Sequence, residues 1–194
     1  MNAIRAPKLA PPGAGLPLVE LLIARLRFAW VRMRGTRTRF TAQFERERDT
    51  ILKMVRALSP ELAGRRILIP RPRGMEDSSR NWSVWMTLDH LRITNTAFGR
   101  VIHVLAQGHV PDRAANTAAV KPSPEVDGSI VEGFERSCEL LLHTVAGVPD
   151  LRTKSRYAHP WFGPLDAAGW HAMCAGHMGL HRGQIERIID GLGR

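Results

Sequence analysis

Cysteine is scarce in this chain, tyrosine occurs once, and long apolar runs are missing. Two cysteines in 194 residues, Cys138 and Cys174, do not make a disulfide framework, so a reducing compartment and a cytoplasmic location are expected. No stretch of 18 or more residues is both uncharged and apolar, so no membrane-spanning helix is expected. The nearest approach, Leu16 to Val31, is interrupted by Glu20, Arg25 and Arg27. The N-terminus lacks the short apolar core and small-residue cleavage site of a secretory signal. No Asn-Gly or Asp-Gly pair sits between alternating strands, so no β-hairpin is predicted. There is no internal repeat, and no phosphate loop, dinucleotide fingerprint or nucleophile elbow.

The chain has enough apolar sequence to fold as one ordinary domain, 44% hydrophobic against 24% charged. Its charge is lopsided. Residues 1–73 hold sixteen Lys and Arg against five Asp and Glu, whereas residues 74–194 are nearly neutral, with twelve against thirteen. The stretch Arg25–Arg39 has six arginines and no acid. Such a stretch is either a solvated helix face or a contact for phosphates, nucleic acid or an anionic membrane. Only Phe28 and Trp30 interleave it with aromatics, which is thin support for base stacking.

Residues 1–17, rich in Pro, Gly and Ala, read as a mobile tail. Leu18 to Met33 has apolar residues at helical spacing among arginines, a short amphipathic helix ending near Gly35. Further helices are predicted over Thr41–Leu58, Trp82–Gln107, from Ser123-Pro124-Glu125 to about Val145, and over Ala167–Asp190, the last capped by Asp166. The loop segments 59–80, 108–123 and 148–165 separate them. Four long helices behind a shorter one point to an all-α bundle. The domain reading is a basic tail and amphipathic helix over residues 1–38, followed by the bundle over 39–194.

Among eight histidines, only His177 and His181 are a pair at helical ligand spacing on an apolar seam. Trp170, Cys174, His177, His181, Gln184 and Ile188 step by four and three along one inward stripe. Residues i and i+4 point the same way one turn apart, and two neutral imidazoles so placed can chelate one metal. A third ligand must come from another helix. His90 shares a stripe with Met86, Ile93, Thr94 and Ala97, and facing helices lie roughly 8–10 Å apart, close enough to bring it to the pair. His103 and His143 are open alternatives on spacing alone. His171 falls off the stripe. Three histidine ligands would leave positions for water or substrate, as in reactive metal sites.

The segment HPWFGPLDAAGWHAMCAGHMGLHRGQI at 159–185, with WSVWMTLDHL at 82–91, resembles the DinB/YfiT-like superfamily. A Trp-containing stretch before an HL pair, an HP-x-FG-x-L loop and a final helix with HxxxHxxQI occur in the family's order, over roughly residues 40–190. The resemblance implies an up-up-down-down four-helix bundle, here with an extra short N-terminal helix. It implies that His90, His177 and His181 hold a divalent metal ion such as nickel or zinc, with Gln184 supporting them. It also implies transferase, isomerase or hydrolase chemistry on a small-molecule substrate, using a low-molecular-weight thiol, and a homodimer. The basic stretch 1–38 lies outside the family pattern. Cys174, on the metal-facing stripe, is a fourth ligand, a redox-sensitive thiol or a core residue. Asp89 and Glu186 point away from the stripe, so no acid or base is assigned. Three function classes follow: a metal-dependent enzyme, a non-catalytic stress-related metal-binding or interaction protein, and a nucleic-acid or membrane-surface binder acting through the basic N-terminus.

Overall fold

The computed structural model describes residues 7–193; the part of the expected tail over residues 1–6 lies outside them. The described chain is mostly helical. It comprises α1 (Leu18–Arg34), α2 (Arg37–Arg56), α3 (Pro60–Gly64), α4 (Val84–Ala106), α5 (Ile130–Gly147) and α6 (Ala167–Leu192). Two antiparallel strand pairs join them, β1 (Ile67–Leu68) with β2 (Asn81–Trp82), and β3 (Tyr157–His159) with β4 (Gly163–Leu165).

Local chemistry explains the boundaries. The side chains of Thr36, Ser59, Ser83 and Asp166 each accept a hydrogen bond from the first turn of α2, α3, α4 and α6, satisfying amide groups the helix cannot. Gly108 follows α4 at φ +85°, a left-handed stop that glycine adopts without strain. Helix α5 starts later than Ser123-Pro124-Glu125 suggested. The backbone N–H of Ser123 is bound to Asp89 Oδ2 at 2.9 Å, which holds the chain against α4 there; it passes through turns and becomes helical only at Ile130. The β3–β4 hairpin was not predicted, because its reversal uses Pro160 to Gly163, with Gly163 at φ +71°, rather than a two-residue Asn-Gly turn.

Helices α2, α4, α5 and α6 form the bundle, and Phe44, Ile51, Leu88, Ile102, Phe134, Leu141 and Met178 are fully buried between them. Contacts set the directions. Thr41 meets His171 and Glu47 meets Arg182, so α2 and α6 run the same way. Asn95 meets Ser137, and Gly99 faces Leu141, so α4 and α5 run together. Trp82 lies against His181 and Phe98 against Trp170, so α4 opposes α6. The order is therefore up-down-down-up, a correction to the expected up-up-down-down. The cause is the connection after α4. It runs back along the bundle and passes over the start of α4, where Val120 meets His90 and Ser123 meets Asp89, before α5 begins.

The described part of the tail is also not loose. The backbone N–H of Ala10 donates to Asp77, and those of Gly13 and Gly15 donate to Glu76. Helix α1 lies on the outside with no fully buried residue. It is anchored by Glu20 to Arg71 and the backbone N–H of Gly74, by Arg32 to Asp166 at 3.2 Å, and by Arg25 to the Trp161 carbonyl at 2.5 Å.

Candidate metal centre

The long inward stripe of α6 is buried as its spacing predicts: Trp170, Cys174, His181, Gln184 and Ile188 are all within the core, and His177 is half-buried. His90 projects from α4 to meet them. Ring centroids lie 5.1 Å apart for His90 and His177, and 4.5 Å apart for both His90–His181 and His177–His181. One ring nitrogen from each of the three falls within 4.8 Å of the others, so the trio could hold one ion.

Surrounding hydrogen bonds fix which nitrogens are free. His90 Nδ1–H donates to the Val120 carbonyl at 2.7 Å, which leaves the Nε2 lone pair bare. His181 Nδ1–H donates to Gln184 Oε1 at 2.7 Å. That amide is itself oriented because its Nε2 donates to the Ser79 carbonyl at 2.8 Å. Bare Nε2 atoms of two rings are thereby turned inward. His177 Nε2 lies 3.2 Å from His90 Nε2, and its Nδ1 is buried with no partner. A concentration of ring lone pairs without matching donors is what a cation satisfies, and the donor set suits a borderline-soft divalent ion.

Burial pushes His90 down to about 4, with the nearby positive charge of Lys121 acting the same way and the Val120 carbonyl opposing. Burial also pushes His177 and His181 well below the usual histidine range, helped by their mutual repulsion. All three rings are therefore uncharged at neutral pH, the form in which imidazole ligates. Trp82 stacks on His181 at 6.2 Å between centroids, and Phe98 sets its edge to His177 at 5.5 Å, holding the rings on both sides.

The histidines line a cavity of about 410 Å³. Its walls are largely apolar, with Phe28 of α1, Phe98 and Val101 of α4, Phe162 beside β4, and Met173 of α6. Polar groups enter from the loops, where sequence periodicity has nothing to read. Glu76 is only 3% exposed and takes the Lys121 ammonium at 2.7 Å and the Thr117 hydroxyl at 3.1 Å. Burial works to raise its pKa, but Lys121, the Gly13 amide and Thr117 outweigh this and hold the carboxyl below its usual range. His159, pushed down to about 4 by burial, also lines the cavity; its Nδ1 accepts the Trp161 N–H at 3.1 Å, so its neutral ring carries the proton on Nε2. Its place in the HP-x-FG motif was the one available signal.

The other candidates resolve. His103 and His143 are exposed and do not compete for the third position. His171 is buried elsewhere, 3.3 Å from the Thr41 hydroxyl. Cys174 donates to the Trp170 carbonyl at 3.1 Å and stands outside the histidine cluster; burial raises its thiol pKa strongly. It is a core residue. Asp89 binds Arg92 and the Ser123 amide, and Glu186 pairs with Arg182.

Among solved structures, the chain is similar to a four-helix bundle protein described as TT2238, with a TM-score of 0.57 and 20% identity, covering 78% of this chain and 98% of that one. At that identity the likeness speaks for the fold. No curated protein matches. The model of the DinB superfamily matches residues 23–185, beginning inside α1 and ending inside α6, and takes in all three clustered histidines. The chain belongs to the DinB superfamily.

Proposed function

We propose that the protein is a metal-dependent enzyme acting on a small molecule, with His90, His177 and His181 holding one divalent ion such as zinc or nickel. The observation that carries this reading is the convergence of three uncharged imidazoles, those of His90 and His181 with tautomers set by Val120 and Gln184, on a cavity of about 410 Å³. A purely structural site would be closed, whereas this one adjoins space for a ligand. An ion held there would act as a Lewis acid and lower the pKa of a water or thiol that reached it. The chain's own part is to orient the rings, to keep bulk water out with Phe28, Phe98 and Phe162, and to offer the His159 Nε2–H and the Lys121 ammonium to a ligand's acceptor atoms. Transfer, isomerisation or hydrolysis assisted by a low-molecular-weight thiol is the reaction class favoured.

The test is elemental analysis of the purified protein beside His177→Ala/His181→Ala, after loading with zinc or nickel and removal of excess metal. Near-stoichiometric metal in the native chain and its loss in the variant is expected. Equal, negligible metal in both would end the proposal. A screen for thiol-dependent turnover of electrophilic small molecules by the loaded protein follows.

A further inference from the structure

The outer face of α1 is apolar and uncovered. Leu18, Leu22, Leu26, Trp30 and Met33 are 80%, 58%, 72%, 53% and 77% exposed, although each is of a kind normally buried. At 100° per residue they fall with Val19, Ile23 and Ala29 on one unbroken arc of about 140°. The opposite face, through Leu21, Ala24 and Phe28, rests on the body of the protein, and Ala24 and Phe28 line the cavity. The apolar arc is therefore not what attaches the helix to the bundle.

Charge borders the arc on both sides. Arg27 and Arg34 lie along one edge, Arg25 and Arg32 along the other. Arg34 folds its guanidinium over the Trp30 ring, 4.8 Å from the centroid. Glu20, the one acid of α1, is turned inward onto Arg71 and the Gly74 amide. No carboxylate is left on the outer face. A second copy laid on this face would bring arginine edges against arginine edges with no acid to match them. An anionic lipid surface supplies both of what the face offers to bind: hydrocarbon for the arc and negative headgroups for its rims, with a tryptophan at the boundary.

We infer that α1 is a docking helix that lies in the surface of an anionic membrane, burying Leu22, Leu26 and Trp30 among the acyl chains while Arg27 and Arg34 meet the headgroups. No helix of the described residues is long and apolar enough to cross a membrane, so the attachment is peripheral. The cavity that Ala24 and Phe28 help to line then lies on the inner side of the docked helix.

The test is co-sedimentation of the full chain with vesicles of phosphatidylcholine containing 30% phosphatidylglycerol and with vesicles of phosphatidylcholine alone. Binding to the anionic vesicles is expected to be stronger and to weaken with salt. Each arginine near a charged surface contributes about fivefold, so Arg27→Gln/Arg34→Gln should lose about 25-fold. Leu22→Glu/Leu26→Glu should abolish binding while leaving the circular dichroism and melting temperature unchanged, because both residues are already in water. The inference is overturned if the native chain ignores anionic vesicles or if the Glu variant binds them as well as the native chain. It is equally overturned if light scattering shows a dimer that the Glu variant dissociates without any vesicle binding, or if duplex DNA competes the protein off vesicles and binds the Glu variant undiminished.

Discussion

Gln184 is the residue through which the bundle controls His181, and replacing it with leucine makes that control measurable. The side chain is fully buried, accepts from His181 Nδ1 at 2.7 Å and donates to the Ser79 carbonyl at 2.8 Å. Leucine fills similar space and satisfies neither. A buried polar group left without its partner costs about 1–3 kcal/mol, and two are created here, so the metal-free protein should lose about 2–6 kcal/mol. For a chain of this length each kcal/mol shifts the melting temperature by about 2–4 °C, which puts the fall at about 4–24 °C. The second effect is on the metal. Loss of a group that orients a ligating imidazole typically weakens affinity by about 10–100-fold. Thermal unfolding in chelator gives the first quantity; zinc titration, read as the ligand-induced rise in melting temperature, gives the second. Gln184→Glu separates the two. It keeps an acceptor for His181 but turns a carboxylate oxygen on the Ser79 carbonyl, so stability should fall while zinc affinity stays closer to native. A Gln184→Leu protein with native melting in chelator and native zinc affinity would refute both the hydrogen-bond assignment and the tautomer it implies.

Three further outcomes are expected. A Cβ on Gly35, between α1 and α2, would overlap the Phe40 ring, so Gly35→Ala should destabilise by about 1–3 kcal/mol in denaturant titration, and Phe40→Leu should restore part of the loss. Burial pushes His171 down to about 4 from an unfolded value of 6.5; the unfolded chain therefore binds the proton first, and this contribution is complete above pH 6.5 and is lost as pH falls towards 4. The shift corresponds to about 3 kcal/mol. Stability of the metal-free protein measured from pH 7 to pH 4 should fall, and less steeply in His171→Gln. Burial pushes the Cys138 thiol up to about 12 and Cys174 higher still, so neither should react with a thiol reagent in the native protein until unfolding exposes it.

Much of the bundle was legible in the sequence because helices write themselves at a period of 3.6. The stripe from Trp170 to Ile188 is buried apart from the half-buried His177, and Asp166 starts the last helix as its chemistry demands, whereas α4 begins one residue after Ser83 rather than at Trp82. His177 and His181 were visible for the same reason, since i and i+4 on one seam must share a face.

Direction and convergence were not written locally. Whether α5 runs with or against α4 depends on the path of the intervening connection, and a loop of any composition can return to either end of a helix. Only tertiary structure decided that Val120 and Lys121 come back over His90, that Glu76 is drawn into the cavity wall, and that His103 and His143 face water. The same holds for α1. Its sequence announced an amphipathic helix, but its apolar face turned out to point away from the core, because the narrower strip of Ala24 and Phe28 is what seats it on the bundle. Residue types and spacings determine what an element can bury; which side it buries is settled by the neighbours the rest of the chain brings to it.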